Sequence, residues 1–117
     1  MKKEAIYIFK YRGVSATVNV FVDPVEKRRY WSSSSYILPL NNPLNYTGTG
    51  AEEVQTYEPE IVHEEQLPDF ASYQRNMAQV LFKLPDVEAY AVGSYSELSE
   101  GPGPTIPEFS VTLIDKL

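Results

Sequence analysis

The chain of 117 residues contains no cysteine and only one histidine, His63. Disulfides, thiolate metal sites and a cysteine nucleophile are therefore excluded. His63 lacks the second imidazole of an H-E-x-x-H zinc site, and its acidic surroundings do not suit a serine triad. A metal or acid–base site at His63 with its neighbouring glutamates is a minor alternative to a solvated acidic loop. We predict no metal, no cofactor and no catalytic residue.

Long apolar runs are also missing. No stretch approaches the roughly 20 apolar residues of a membrane-spanning helix. The apolar run of residues 5–9 ends at Lys10, which makes it too short for a signal peptide. The length is typical of one domain with one core, so we expect residues 1–117 to form a single soluble, cytoplasmic domain with no membrane partner.

The charge is divided unevenly along the chain. Its formal net charge is −6. Residues 1–50 carry seven basic and three acidic residues, whereas residues 51–117 carry three basic and thirteen acidic ones. Such an asymmetry bears on solubility and on the choice of partner, and it does not determine the fold.

The N-terminal region predicts an antiparallel hairpin over residues 5–22. Residues 5–11 are mostly β-branched or aromatic, and residues 14–22 alternate valine or alanine with other residues. Arg12-Gly13 between them is typical of a tight turn. Further strands are predicted over residues 30–38, 54–57, 60–63, 87–96 and 109–114, with a loop over 39–50.

One helix is predicted over residues 69–84. Its helical spacing rests on an apolar stripe of Phe70, Tyr73, Met77, Leu81 and Leu84. Asp69 is a candidate N-cap, and Pro85 would end the helix. The predicted fold class is therefore α+β, a mainly antiparallel sheet of about five to six strands with this amphipathic helix packed on one face.

The acidic residues of the second half suggest a binding surface. We name as the acidic face the carboxylates of residues 52–69, namely Glu52, Glu53, Glu58, Glu60, Glu64, Glu65 and Asp69. Like charges at this density repel one another, so a cationic surface would stabilise them. The main hypothesis is a non-enzymatic protein–protein interaction module with a basic protein partner, in the manner of an inhibitor, an immunity protein or a nucleic-acid mimic. A loop that is acidic for solubility alone is the simpler interpretation.

Two other functions remain open. An aromatic pocket for a small ligand, with or without enzymatic activity, would use Tyr30, Trp31, Tyr36, Tyr46 and Tyr57. A self-assembling structural subunit would pair the basic half of one copy with the acidic half of another, giving a homo-oligomer. Nucleic acid is a poor candidate, because the basic residues 27–29 are few and the chain is acidic overall.

Overall fold

Nine β-strands make up the computed structural model, which describes residues 1–34, 36–40, 48–49, 52–69, 71, 73–85, 89–99 and 101–114. In chain order they are β1 (Lys2–Tyr11), β2 (Val14–Asp23), β3 (Arg28–Ser32), β4 (Leu38–Pro39), β5 (Gln55–Tyr57), β6 (Glu60–Gln66), β7 (Gln74–Lys83), β8 (Tyr90–Leu98) and β9 (Ile106–Ile114). The described residues include no helix that is long and apolar enough to cross a membrane.

The strands form two sheets. The five-stranded sheet has the order β4-β3-β2-β1-β5, and the four-stranded sheet has the order β6-β7-β8-β9. All neighbours pair antiparallel except β1 and β5, which are parallel. The predicted hairpin of residues 5–22 is confirmed as β1 and β2, with Tyr11 opposite Val14. Arg12 (φ 47°) and Gly13 (φ 79°) form its turn, and two left-handed residues match the twist of the flanking strands.

The core lies between the two sheets. Its residues alternate along each strand, as expected when one face of a sheet is buried. The five-stranded sheet contributes mainly Ala5, Tyr7, Phe9, Tyr11, Val18, Val20 and Trp31, and the four-stranded sheet contributes Ala78, Val80, Phe82, Ala91, Tyr95, Val111 and Leu113. Phe9 and Phe82 meet edge to face across the core, with ring centroids 4.9 Å apart.

The helix predicted over residues 69–84 is wrong, and so is the α+β fold class, because the described part of the molecule is all β. Strand β7 occupies most of that segment. Its buried residues are Ala78, Val80, Phe82 and Leu84, which repeat every second position. The predicted helical stripe includes Leu84, which lies on this buried inner face. It also includes Met77 and Leu81, which lie on the outer face because successive side chains of a strand point to opposite faces. Asp69, the predicted N-cap, is exposed after β6, and Phe70 of the predicted stripe lies outside the described residues.

The charge asymmetry of the sequence follows the division into sheets. Strands β1 to β4 come from the basic half of the chain, and the whole four-stranded sheet comes from the acidic half. The two halves meet where the chain passes from β5 to β6, because the Lys10 ammonium lies 2.8 Å from the Glu58 carboxylate. Part of the asymmetry is therefore neutralised within one molecule.

Candidate functional site at the edge strand β6

Strand β6 is exposed along its whole length. It lies at one edge of the four-stranded sheet, and all seven of its residues are exposed to solvent. The other strands of this sheet each bury part of one face. A strand that is solvent-accessible on both faces and at its edge offers both side chains and backbone groups to a partner.

The register of β6 against β7 divides its side chains between two faces. Residues directly opposite each other in a sheet share a face. Glu64 lies opposite buried Val80 and therefore points to the inner side, whereas Glu65 lies opposite exposed Gln79 on the outer side. A bulge between Ile61 and His63 shifts the register. The acidic residues of β6 thus occupy both faces of the strand.

The inner side of β6 contacts the tip of the first hairpin. The Tyr11 hydroxyl donates a hydrogen bond to the Glu64 carboxylate. Next to it, the Arg12 guanidinium donates to the side-chain oxygen of Gln66 at 3.2 Å. Burial of the Tyr11 ring, helped by the bond to Glu64, raises the pKa of Tyr11 above its ordinary value. These contacts join the two sheets and fix the position of β6.

A second tyrosine–carboxylate pair lies beside the first. The Tyr95 hydroxyl donates to Glu97 at 2.6 Å, and the side-chain amide of Asn76 donates to the same carboxylate at 2.7 Å. Burial and the nearby carboxylate raise the pKa of Tyr95 to about 12, while these two donors lower the pKa of Glu97. The guanidinium of Arg12 lies between the pairs, 5.5 Å from the Tyr11 ring centroid and 5.7 Å from that of Tyr95. Each tyrosine hydroxyl thus donates to a carboxylate, and the Arg12 guanidinium contacts both rings.

The outer side of β6 borders a shallow depression. Its volume is about 190 Å³, and its lining residues are His63, Glu65, Gln79, Val80, Leu81 and Val92. The depression combines an apolar floor with one imidazole and one carboxylate at its rim. It is too small and too open for the enclosed pocket that a small-molecule ligand usually needs.

The other members of the acidic face lie before β6, at its first residue and after its end. Glu52 accepts a hydrogen bond from the backbone N–H of Thr49 at 2.8 Å, and Glu58 pairs with Lys10. Glu60 lies opposite Lys83, and Glu53 and Asp69 are exposed. Among the residues that the structure describes, no group of three His, Asp or Glu side chains could hold a metal ion.

The five aromatic residues of the alternative pocket lie in different surroundings. Trp31 is buried in the core, while its neighbour Tyr30 points to the opposite face of β3 and bonds Glu26 at 3.3 Å. The Tyr57 ring stacks on Tyr7 with centroids 5.2 Å apart. Tyr36 is 77% exposed, and Tyr46 lies outside the described residues. Among the four described aromatic residues, Tyr30 and Trp31 therefore lie on opposite faces of the same sheet.

The polar cluster of Tyr11, Arg12, Gln66, Tyr95 and Glu97 is the part of the site that the sequence did not indicate. These residues come from three strands and one turn, and only the packing of the sheets brings them together. Comparison with protein-family models, with curated proteins and with solved structures finds no match.

Proposed function

We propose that this domain is a protein–protein interaction module that binds a basic partner through β6 and the acidic residues around it. The observation that carries the proposal is the exposure of every residue of β6, although the strand belongs to a sheet. A strand that served only to complete the core would bury one face. Here the whole of β6 is solvent-accessible, and its contacts with the hairpin tip hold the strand in place.

Charge supports a basic partner in particular. Residues 52–74 contain seven acidic residues and no lysine or arginine. Glu65 is exposed on the outer side of β6, and it has no ion-pair partner among the described residues. A lysine or arginine from another protein would gain a favourable interaction there, and the approach would be steered by the charge.

A synthetic peptide that carries the proposed basic chemistry tests the proposal in place of the partner itself. The probe is a fluorescent peptide in which lysine alternates with threonine, and the control peptide has glutamate in place of lysine. We expect the lysine peptide to bind the full chain, more weakly as salt is raised, and the glutamate peptide not to bind.

The location of binding is tested by a matched pair of charge reversals. Glu65→Lys changes β6, and Glu108→Lys changes an exposed carboxylate of β9, at the opposite edge of the same sheet. Both variants alter the net charge equally. We expect Glu65→Lys to weaken binding about fivefold and Glu108→Lys to change it less than about twofold. Equal effects would contradict the proposal, because the peptide would then respond to net charge alone.

A further inference from the structure

The backbone of β6 has one hydrogen-bonding edge that no described strand covers. Only β7 pairs with β6 among the described strands. The backbone N–H of Leu67 donates to the Met77 carbonyl at 2.8 Å, so the backbone of Leu67 faces β7. Because backbone groups alternate sides along a strand, those of Glu65 also face β7, while those of Glu64 and Gln66 face the open edge.

The other long edge of this sheet is less suited to pairing. Strand β9 contains Pro107, which has no backbone N–H to donate. β9 also packs against β2 of the other sheet, whereas β6 keeps all of its residues exposed. At the two edges of the five-stranded sheet, β4 has only two residues and includes Pro39, and β5 has only three residues. β6 is thus the edge best able to accept another strand.

A second copy of β6 is not the natural occupant of this edge. In an antiparallel pair of identical strands centred on Glu64, the two Glu64 carboxylates would lie directly opposite each other. Like charges placed opposite one another destabilise a sheet, and charged residues on an edge are a common protection against self-pairing. A strand that carries lysine or arginine would meet the same carboxylates favourably.

We propose that an extended basic segment of a partner protein adds to the four-stranded sheet as a strand beside β6. The backbone groups of Glu64 and Gln66 would pair with that segment. Its lysine or arginine side chains would meet Glu64 on the inner side of β6 or Glu65 on the outer side, according to their position in the segment. Backbone pairing supplies affinity in this mode of recognition, while the alternating side chains supply specificity. The inference rests on the proposed function and adds the binding mode to it.

Amide hydrogen exchange of the full chain tests the mode directly, with the lysine–threonine peptide as probe. Without the peptide, the amides of Glu64 and Gln66 should exchange rapidly, and that of Glu65 should be protected. With saturating peptide, strand addition predicts at least about tenfold slower exchange at Glu64 and Gln66, with Glu65 little changed. Binding that leaves both edge amides unprotected would overturn strand addition and leave the proposed function standing. No binding at all would overturn both.

A pair of substitutions at one position separates the backbone from the side chain. Gln66→Ala removes the side chain, and Gln66→Pro removes the side chain together with the edge N–H. Because this N–H faces away from β7, the proline should preserve the pairing between β6 and β7. We expect Gln66→Pro to bind the peptide about fivefold more weakly than Gln66→Ala. Equal affinities for two folded variants would contradict strand addition, and the exchange measurement on the unmodified chain decides the question if the proline variant does not fold.

Discussion

The hydroxyl of Tyr11, at the end of the first hairpin, donates to the carboxylate of Glu64 on β6, which belongs to the other sheet. The contact explains how a strand exposed along its whole length keeps a defined position. Tyr11 itself is anchored in the core, where its ring packs edge to face on Tyr95 at 5.1 Å between centroids. Strand β6 is therefore attached to the hydrophobic core through Tyr11.

The first prediction concerns this contact. Tyr11→Phe keeps the ring and removes the donor, so it should lower the free energy of unfolding by about 1 kcal/mol. It should also speed amide exchange at Glu65, whose backbone faces β7, more than exchange at the core position Val80. Chemical denaturation and hydrogen exchange measure the two effects. Unchanged stability and exchange would show that the bond does not position β6.

The second prediction concerns Gly93, which lies on β8 beneath an aromatic ring. A methyl group on this residue would lie 2.6 Å from Cε1 of Phe109 and 3.2 Å from Cε2 of Phe82. We expect Gly93→Ala to destabilise the protein by about 1–3 kcal/mol, because the rings must shift in a packed core. Ser94→Ala, at the exposed neighbouring position, is the control and should change stability by less than about 0.5 kcal/mol. Urea unfolding of both variants checks this, and a fully stable Gly93→Ala would contradict the described packing.

The third prediction compares two ion pairs. Arg29 contacts both oxygens of Glu4, at 2.8 and 3.0 Å, with side chains exposed by 13% and 22%. Lys10 and Glu58 form a single contact between side chains that are each 62% exposed. Double-mutant cycles with glutamine substitutions should give about 1–2 kcal/mol of coupling for the first pair and below about 0.5 kcal/mol for the second. The reverse order would refute the role assigned to burial and bidentate geometry.

The fourth prediction is a pH dependence from Tyr95. Its pKa is raised from 10.0 to about 12 in the folded state, by burial and by the Glu97 carboxylate. The folded state therefore favours the protonated phenol. This contribution to stability is complete below pH 10, and it is lost as the pH rises through about 12. Between pH 10 and about 12, the free energy of unfolding should fall less steeply with pH for Tyr95→Phe than for the unmodified chain. Identical slopes for the two proteins would exclude the effect.

The sequence predicted the first hairpin because valines alternate over residues 14–22 and Arg12-Gly13 suits the turn. It failed at β7, where helical and strand periodicities overlap. Met77, Leu81 and Leu84 fit a helical stripe, while Ala78, Val80, Phe82 and Leu84 fit a strand, and only the neighbouring strands β6 and β8 decide between the two patterns.

The candidate site was predictable in part. The carboxylates of β6 were evident from the composition of residues 52–69, and short strands within that segment were expected. Two features depended on tertiary structure. The first is the edge position of β6, which follows from sheet order, and the second is the contact between Tyr11 and Glu64, which are 53 residues apart.

The most direct test of the account is to locate a bound basic segment on the molecule. A spin label on the lysine–threonine peptide broadens the amide signals of nearby residues in the NMR spectrum of the full chain. If the segment adds beside β6, we expect the strongest broadening along β6, with weaker effects on β7 and the hairpin tip and none on β4. Broadening centred on β9 or β4, or spread evenly over the surface, would contradict it.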